Sequence, residues 1–232
     1  MPVACLSANA AEFRVTALTP EYILVQGDCS ADENAAFFAD PRFEESKSAG
    51  ADWQIRRKRV ALHEDIVKKV REPFAEKLKS IQGVVAYWPE ANGMKHYVAP
   101  DGDHFNLTAG EVIHNVFVKV ATMKKGDSVD LGVAGKFTYD PGVPSPVFKV
   151  NQVGYAPNAR KYAYVGAWLG TAGPMPLASF AEKPFAVVDA KSGAKVLEGK
   201  LAPRVANPRQ GRQAVQVQAL QRDYFEPRDV RD

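Results

Sequence analysis

Lys149-Val150-Asn151-Gln152-Val153-Gly154-Tyr155-Ala156-Pro157 is the stretch that decides the fold of the C-terminal part of this chain. A second run, Lys161-Tyr162-Ala163-Tyr164-Val165, follows it closely. Together they predict a strand, a turn and a second strand, because Gly154 accepts turn conformations that a β-branched residue cannot adopt. Pro157 then fixes φ just after that turn.

Further strands are predicted on the C-terminal side of this pair. Runs with many apolar residues occur at 162–168, 185–189 and 195–201, and the last two are joined by a short connection that contains Gly193. Glycine is usual in hairpin connections because these often need a positive φ. Short strands separated by turn signals predict a β-sandwich over residues 147–203.

This pattern resembles the immunoglobulin-like domain that precedes the catalytic barrel in family 9 glycoside hydrolases. The resemblance implies a non-catalytic sandwich that packs against the flank of a helical barrel, which would be the main partner and is absent from this chain. It also implies residues that lie at the domain interface or stabilise a turn. An alternative role for their side chains is to satisfy local backbone groups within the sandwich itself. These residues are Asn151, Gln152, Gly154, Tyr155 and Trp168.

The resemblance names an enzyme whose chemistry is missing from this sequence. Glycoside hydrolysis needs a pair of carboxyl groups flanking the scissile bond. The family 9 enzymes that this chain resembles are of the inverting type, and their catalytic aspartates come from an Asp-Ala-Gly-Asp type of motif on the barrel. In this chain the most similar segment, Asp189-Ala190-Lys191-Ser192, lacks the second carboxylate. We therefore expect no catalytic residue in this chain and interpret it as a scaffold region of a cellulase-like enzyme that degrades polysaccharide.

The N-terminal part, residues 12–140, is expected to be a second β-rich module of the sandwich type, so that the whole chain is mainly β. Alternation over Glu12–Leu18 and the run Tyr22–Val25 predict a hairpin, and further strands are predicted at 54–57, 84–88 and 112–120. Apolar residues at helical spacing over 62–81 favour a helix that Pro73 kinks or divides. A decorated loop and strand is the alternative for that segment.

The boundaries follow from composition. Residues 1–11 are interpreted as the remnant of a secretory signal, with a frayed terminus as the alternative, and 141–146 as a linker dense in Pro and Gly. The domain is expected to end near 203. Lysine disappears after Lys200 while six arginines follow, so residues 204–232 are predicted to be an irregular tail that is truncated or out of frame.

Charge and hydropathy argue against a nucleic-acid-binding protein and against a membrane-spanning protein. The net charge of +3 is small for 232 residues, and the basic run Arg56–Arg59 is followed by interleaved acids, so no nucleic-acid partner is expected. No apolar run reaches the ~20 residues that span a bilayer. We predict a secreted or periplasmic protein. Cys29 is expected to be a buried small hydrophobe, or to pair with Cys5 if that residue is retained.

Two ligand classes were considered. Asp101 and Asp103 with His104 and Asn106 suit a hard cation poorly without a bidentate glutamate, and the four histidines show no metal-ligand spacing along the chain. No metal and no cofactor are therefore predicted. A stand-alone carbohydrate-binding module is the alternative function, and an unrelated adhesion-type sandwich is a third. In the carbohydrate-binding case, aromatic rings stack on sugars. The candidates for stacking are Tyr87, Trp88 and Tyr97.

Overall fold

The computed structural model describes residues 12–150, 156, 162–177, 180–189, 191–203 and 215–218. The chain divides into two compact units between Pro141 and Gly142. More of the described residues lie in strands than in helices, which confirms the predicted mainly β class. Among those residues, no helix combines the length and the apolar character that a membrane span requires.

The N-terminal unit is built on a four-stranded antiparallel sheet with the order β1-β2-β6-β3 and two short hairpins, β4–β5 and β7–β8. The predicted hairpin and the predicted strands at 84–88 and 112–120 are present. The alternation of buried and partly buried residues along β2 shows that one face of the sheet supports a core. The strands are β1 (Glu12–Thr19), β2 (Tyr22–Asp28), β3 (Val84–Asn92), β4 (Lys95–Val98), β5 (His104–Leu107), β6 (Glu111–Lys119), β7 (Ser128–Asp130) and β8 (Lys136–Thr138).

Helices fill the connection between β2 and β3. They are α1 (Ser30–Ala39), α2 (Pro41–Lys47), α3 (Asp52–Ile66) and α4 (Glu72–Lys79), with a π-helical turn at Val67–Arg71 between the last two. The predicted helix over 62–81 is present and divided as expected. Pro73 has no N–H to donate, and the chain widens just before it, where Glu72 N–H bonds Val67 O.

The helical region is longer than predicted. The strand expected at 54–57 is wrong, because these residues form the first turns of α3. Apolar side chains at helical spacing favour the helix, since Leu62 and Ile66 are buried on one face of it, whereas the basic side chains of residues 56–58 are exposed.

The core of the N-terminal unit forms where α4 packs on the sheet. Phe74 and Leu78 lie against Val25 and Val116. A Cβ on Gly27 would come within 2.7 Å of Phe74 Cζ, so glycine is required for this close approach. The layer over the buried face is α4 together with the short β7–β8 hairpin, whose Val129 and Phe137 pack against the same core, so a helix and a hairpin stand where the predicted sandwich would have a second full sheet. A separate aromatic cluster joins α1, α2 and α3 to the β4–β5 hairpin.

The C-terminal unit is a five-stranded antiparallel sheet with the order β11-β12-β13-β10-β9. Its buried side chains include Val165, Leu169, Met175 and Leu201. The strand at 215–218 corrects the prediction of an irregular tail from residue 204, because its alternating valines belong to a strand that pairs with two neighbours. The strands are β9 (Phe148–Val150), β10 (Tyr162–Val165), β11 (Pro184–Val188), β12 (Lys195–Pro203) and β13 (Val215–Gln218).

Candidate functional site

A single row of side chains crosses the face of the N-terminal sheet that lies opposite α4. Arg14 of β1 pairs with Gln26 of β2, Gln26 pairs with Asn115 of β6, and Asn115 pairs with Trp88 of β3. Residues directly opposite each other in paired strands point to the same face. The row therefore presents a guanidinium, two amides and an indole in succession, and we call it the outer row.

Hydrogen bonds fix the centre of the outer row. Gln26 Nε2 donates to Asn115 Oδ1 at 2.9 Å, and Asn115 Nδ2 donates to the backbone oxygen of Trp88 at 3.0 Å. Asn115 is buried, whereas 47% of Trp88 is exposed. Asn115 thus ties β2 to β3 through β6 and leaves the indole on a well-supported strand with solvent at its surface.

Tyr87 does not share this face with Trp88. Its partner across the strands is Val116 in the core, its hydroxyl lies 2.9 Å from His114 Nδ1, and Lys79 Nζ lies 4.7 Å from its ring centroid. Neighbouring residues of a strand point to opposite faces. Tyr87 and Trp88 therefore lie on opposite faces of the sheet and cannot form one stacking surface.

Tyr97 cannot stack on a sugar either, which corrects the prediction that named it as a stacking candidate. None of its surface is exposed. Its ring stacks on Phe37 with 4.2 Å between the centroids, and His63 Nδ1 lies 2.8 Å from its hydroxyl. A sugar cannot reach a ring that is fully packed among other rings, so Tyr97 belongs to the core of the helical layer. Of the three aromatic candidates, Trp88 alone presents an exposed ring on the outer row.

A buried polar cluster lies on the other side of the sheet, beside the helices. Arg71 of the π-helical turn donates two hydrogen bonds to the carboxylate of Glu33 on α1, at 2.7 and 2.8 Å. Lys95, which is completely buried, lies 3.7 Å from the same carboxylate and 3.9 Å from that of Glu111. The sequence interpretation missed this cluster, because its members lie far apart along the chain.

Cys29 and His114 extend this buried cluster. The Cys29 thiol donates to Glu33 Oε1 at 3.4 Å and lies 3.9 Å from His114 Nε2. A cysteine beside a histidine suggests a nucleophile, but the electrostatics oppose it. Burial, followed by the charge of Glu33, raises the pKa of the Cys29 thiol to about 12. Burial lowers the pKa of His114, so the imidazole does not supply the cation that would stabilise a thiolate.

The arrangement therefore assigns Cys29 a structural role. It is a free, buried thiol, in agreement with the expectation of a buried small residue. Beside it, a shallow pocket of about 250 Å³ opens between α4, β3 and β6. Tyr87 and His114 line it together with Lys79 and Glu76, and these last two side chains are already joined in an ion pair of 2.8 Å.

Asp101, considered above as a ligand for a hard cation, has a structural role. Asp101 accepts a hydrogen bond from Asp103 N and forms an ion pair with Lys47, so it stabilises the turn between β4 and β5. Over the part of the chain that the structure describes, no group of three or more His, Cys, Asp or Glu side chains converges as a metal site would.

Of the residues expected at a domain interface, the structure describes Trp168. Asn151, Gln152, Gly154 and Tyr155 lie outside the described residues. Trp168 follows β10, pairs with Pro174 through an isolated bridge and is 61% exposed.

The first edge strand of the same sheet also exposes apolar side chains. Phe148 and Val150 of β9 are 48% and 59% exposed, and they lie on one face because they are two residues apart. The edge of the C-terminal sheet and the loop after β10 thus offer apolar surface to solvent.

Comparison with known proteins finds a family model that matches the C-terminal unit. Residues 143–218 match the model of the cellulase N-terminal Ig-like domain, and no catalytic domain accompanies that match. No curated protein and no solved structure matches the chain. The match includes β9 to β13, so the domain extends beyond residue 203, where the sequence interpretation had ended it. The C-terminal unit therefore carries an immunoglobulin-like domain of the kind found at the N-terminal side of cellulases.

Proposed function

We propose that this chain is the non-catalytic N-terminal region of a secreted, cellulase-like glycoside hydrolase of family 9. In this proposal the immunoglobulin-like domain supports a catalytic barrel encoded downstream, and hydrolysis of polysaccharide belongs to that barrel. The family match of residues 143–218 supports the association with cellulases.

The observation that carries the proposal is the apolar surface of the C-terminal unit. Phe148, Val150 and Trp168 are each about half exposed or more, and the opposite edge strand exposes Val187 and Val188. An edge strand with exposed apolar side chains invites pairing or packing unless another segment covers it. A catalytic domain that follows in the same polypeptide would cover such a surface.

The test compares three proteins: the chain alone, the downstream catalytic sequence alone, and the two joined in their natural order. We expect no β-glucan hydrolysis by the chain alone. We also expect the joined protein to unfold at a higher temperature, and to keep its activity longer on heating, than the catalytic sequence alone. Hydrolysis by the chain alone, or equal thermal inactivation with and without it, would contradict the proposal.

A pair of variants locates the interface within the joined protein. Replacing Val150 with Ser removes an exposed apolar side chain from β9, and replacing Val85 with Ser does the same on the N-terminal sheet, where 43% of the side chain is exposed. We expect only Val150→Ser to accelerate thermal inactivation. Equal effects of the two variants would show that β9 holds no special contact.

The outer row favours carbohydrate binding as a second candidate function. An exposed indole beside hydrogen-bonding side chains suits a polysaccharide, because pyranose rings offer flat apolar faces edged by hydroxyl groups. Arg14 and Gln26 supply donors on the same face as Trp88. In this second proposal sugar would contact β1, β2, β6 and β3, away from Tyr87 and Tyr97.

Retention on insoluble cellulose tests this second function. Trp88→Ala should abolish retention, while Trp53→Ala should leave it unchanged, because Trp53 is also exposed but lies on α3. If the two variants lose retention equally, any binding is non-specific adsorption of aromatic side chains. If the unmodified chain is not retained, the scaffold role alone remains.

A further inference from the structure

The β4–β5 hairpin brings together two histidines that are far from adjacent in sequence. His96 pairs with Asn106 across the hairpin, and Val98 pairs with His104, so His96 and His104 are diagonal neighbours. Lys95 and Tyr97 point to the buried side of the same hairpin. His96 and His104 therefore share its solvent face, where side chains on a diagonal remain within reach of each other.

The two imidazole rings meet at their nitrogen atoms. His104 Nδ1 lies 3.2 Å from His96 Nε2, and His96 Nδ1 lies 2.7 Å from Asn106 Oδ1. The amide oxygen only accepts, so it selects the His96 tautomer with a proton on Nδ1. The lone pair of His96 is then on Nε2 and faces His104.

This geometry matches one half of a metal site. Zinc binds imidazole nitrogen at about 2.0–2.1 Å with tetrahedral angles, which places two nitrogen ligands about 3.3–3.4 Å apart. Metal-bound histidines almost always donate their second N–H to an oxygen acceptor, which holds the ring in place. His96 already has such an acceptor in Asn106.

We propose that His96 and His104 chelate one divalent transition-metal ion, with Asn106 as the residue that positions His96. Binding requires the His104 proton to be on Nε2, so that Nδ1 turns its lone pair towards the ion. The ligand class is imidazole nitrogen, which suits Zn²⁺, Ni²⁺ and Cu²⁺. Two protein ligands leave the remaining positions to water, or to a donor from another molecule. The site is independent of the scaffold function.

Calorimetric titration of the tag-free chain with NiCl₂ tests the proposal. We expect one Ni²⁺ per chain, and at least tenfold weaker binding for His96→Ala and for His104→Ala. The double variant should lose much less than the sum of the two single losses, because each single variant already abolishes the chelate. Asn106→Ala should weaken binding about tenfold, and Asn106→Asp, which keeps the oxygen acceptor, should restore it.

A thermal measurement gives a second readout. Ni²⁺ should raise the unfolding temperature of the unmodified chain and not that of His96→Ala, since a ligand stabilises the state that binds it. The proposal is wrong if Ni²⁺ does not bind. It is also wrong if the two single variants bind as well as the unmodified chain, or if their losses simply add, because that pattern describes two separate monodentate histidines.

Discussion

The two units of this chain use apolar side chains in opposite ways. In the N-terminal unit the aromatic cluster around Tyr97 is enclosed by helices, although Trp53 and Trp88 stay exposed, and even a lysine and a glutamate, Lys95 and Glu33, are removed from solvent. In the C-terminal unit Phe148, Val150 and Trp168 are left about half exposed or more. The first unit closes its own core, whereas the second presents apolar surface that a partner can cover.

Because of this difference, contacts in the N-terminal unit should determine its own stability, whereas exposed apolar residues in the C-terminal unit should matter for contact with a partner. A buried ionic group is costly unless it is paired, so the N-terminal unit depends on contacts within itself. Exposed apolar residues contribute little to the stability of the unit that carries them, and they contribute more when another domain buries them. Substitutions in the two units should therefore differ in which property they change.

The largest expected effect comes from breaking the buried ion pair. Glu33→Ala leaves Arg71 without its carboxylate and leaves Lys95 only that of Glu111 at 3.9 Å, and removal of one partner of a buried pair costs about 3–5 kcal/mol. The free energy of unfolding of the N-terminal unit should fall by that amount. Urea unfolding followed by the fluorescence of Trp53 and Trp88, in a Trp168→Phe background, measures it.

A matched control lies in the other unit. Glu198 forms an ion pair with Lys195, but both side chains are mostly exposed. Glu198→Ala should change the unfolding free energy by less than about 0.5 kcal/mol. If Glu33→Ala were equally mild, the claim that the N-terminal unit depends on its buried charges would be wrong.

The same ion pair predicts how stability depends on pH. The hydrogen bonds and charge of Arg71, with the charge of Lys95, outweigh burial and hold the pKa of Glu33 below its ordinary value. A carboxyl group with a lowered folded-state pKa stabilises the fold above its ordinary pKa, and this contribution is lost as the pH falls through the lowered value. Acid should therefore destabilise the N-terminal unit, and much less so in Glu33→Gln. Equal acid sensitivity of the two proteins would contradict this.

A smaller effect compares two glycines that lie beneath phenylalanine rings. A Cβ on Gly27 would come within 2.7 Å of Phe74 Cζ and 2.9 Å of Leu78 Cδ1 inside the core. Gly27→Ala should cost about 1–3 kcal/mol, because overpacking forces the helix off the sheet. On β12, a Cβ on Gly199 would approach only the Phe185 ring, which is not fully buried.

Gly199→Ala should therefore cost less than Gly27→Ala, since the Phe185 ring can move towards solvent. Thermal unfolding of the two variants, each compared with the unmodified chain, measures the difference. If Gly199→Ala were the more damaging, the C-terminal unit would be packed more tightly than its exposed apolar surface indicates.

Much of the fold was predictable from local pattern. The hairpin of β1 and β2, the strands β3 and β6 and the division of the helix near Pro73 follow from hydrophobic period and backbone chemistry, which act over a few residues. The strand expected at 54–57 failed because four consecutive residues cannot distinguish a strand from one face of a longer helix. The covering layer of the N-terminal sheet was not predicted, because local pattern indicated a helix over 62–81 but not that it would pack on the buried face of the sheet.

The candidate site was less predictable than the fold. Trp88 was identified as an aromatic candidate, but neither its separation from Tyr87 nor the burial of Tyr97 follows from residue type. The outer row depends on the register of four strands, and the proximity of His96 and His104 depends on a diagonal across a hairpin. Spacing along the chain does not encode either arrangement.

The smallest expected effect belongs to the exposed surface of the C-terminal unit. In the chain alone, Val150→Ser and Trp168→Ser should each change the unfolding free energy by less than about 0.5 kcal/mol, because the side chains are already largely in solvent. Chemical denaturation checks this. A loss of 2 kcal/mol or more would mean that these residues stabilise their own unit and are not reserved for a partner.

Hydrogen–deuterium exchange of the chain, alone and joined to the downstream catalytic sequence, tests the central claim most directly. We predict that joining slows exchange in β9 and in the loop around Trp168, whereas exchange in β2 and β6, whose side chains the N-terminal unit already buries, stays unchanged. Unchanged exchange throughout the C-terminal unit, or slower exchange confined to the N-terminal unit, would contradict the account.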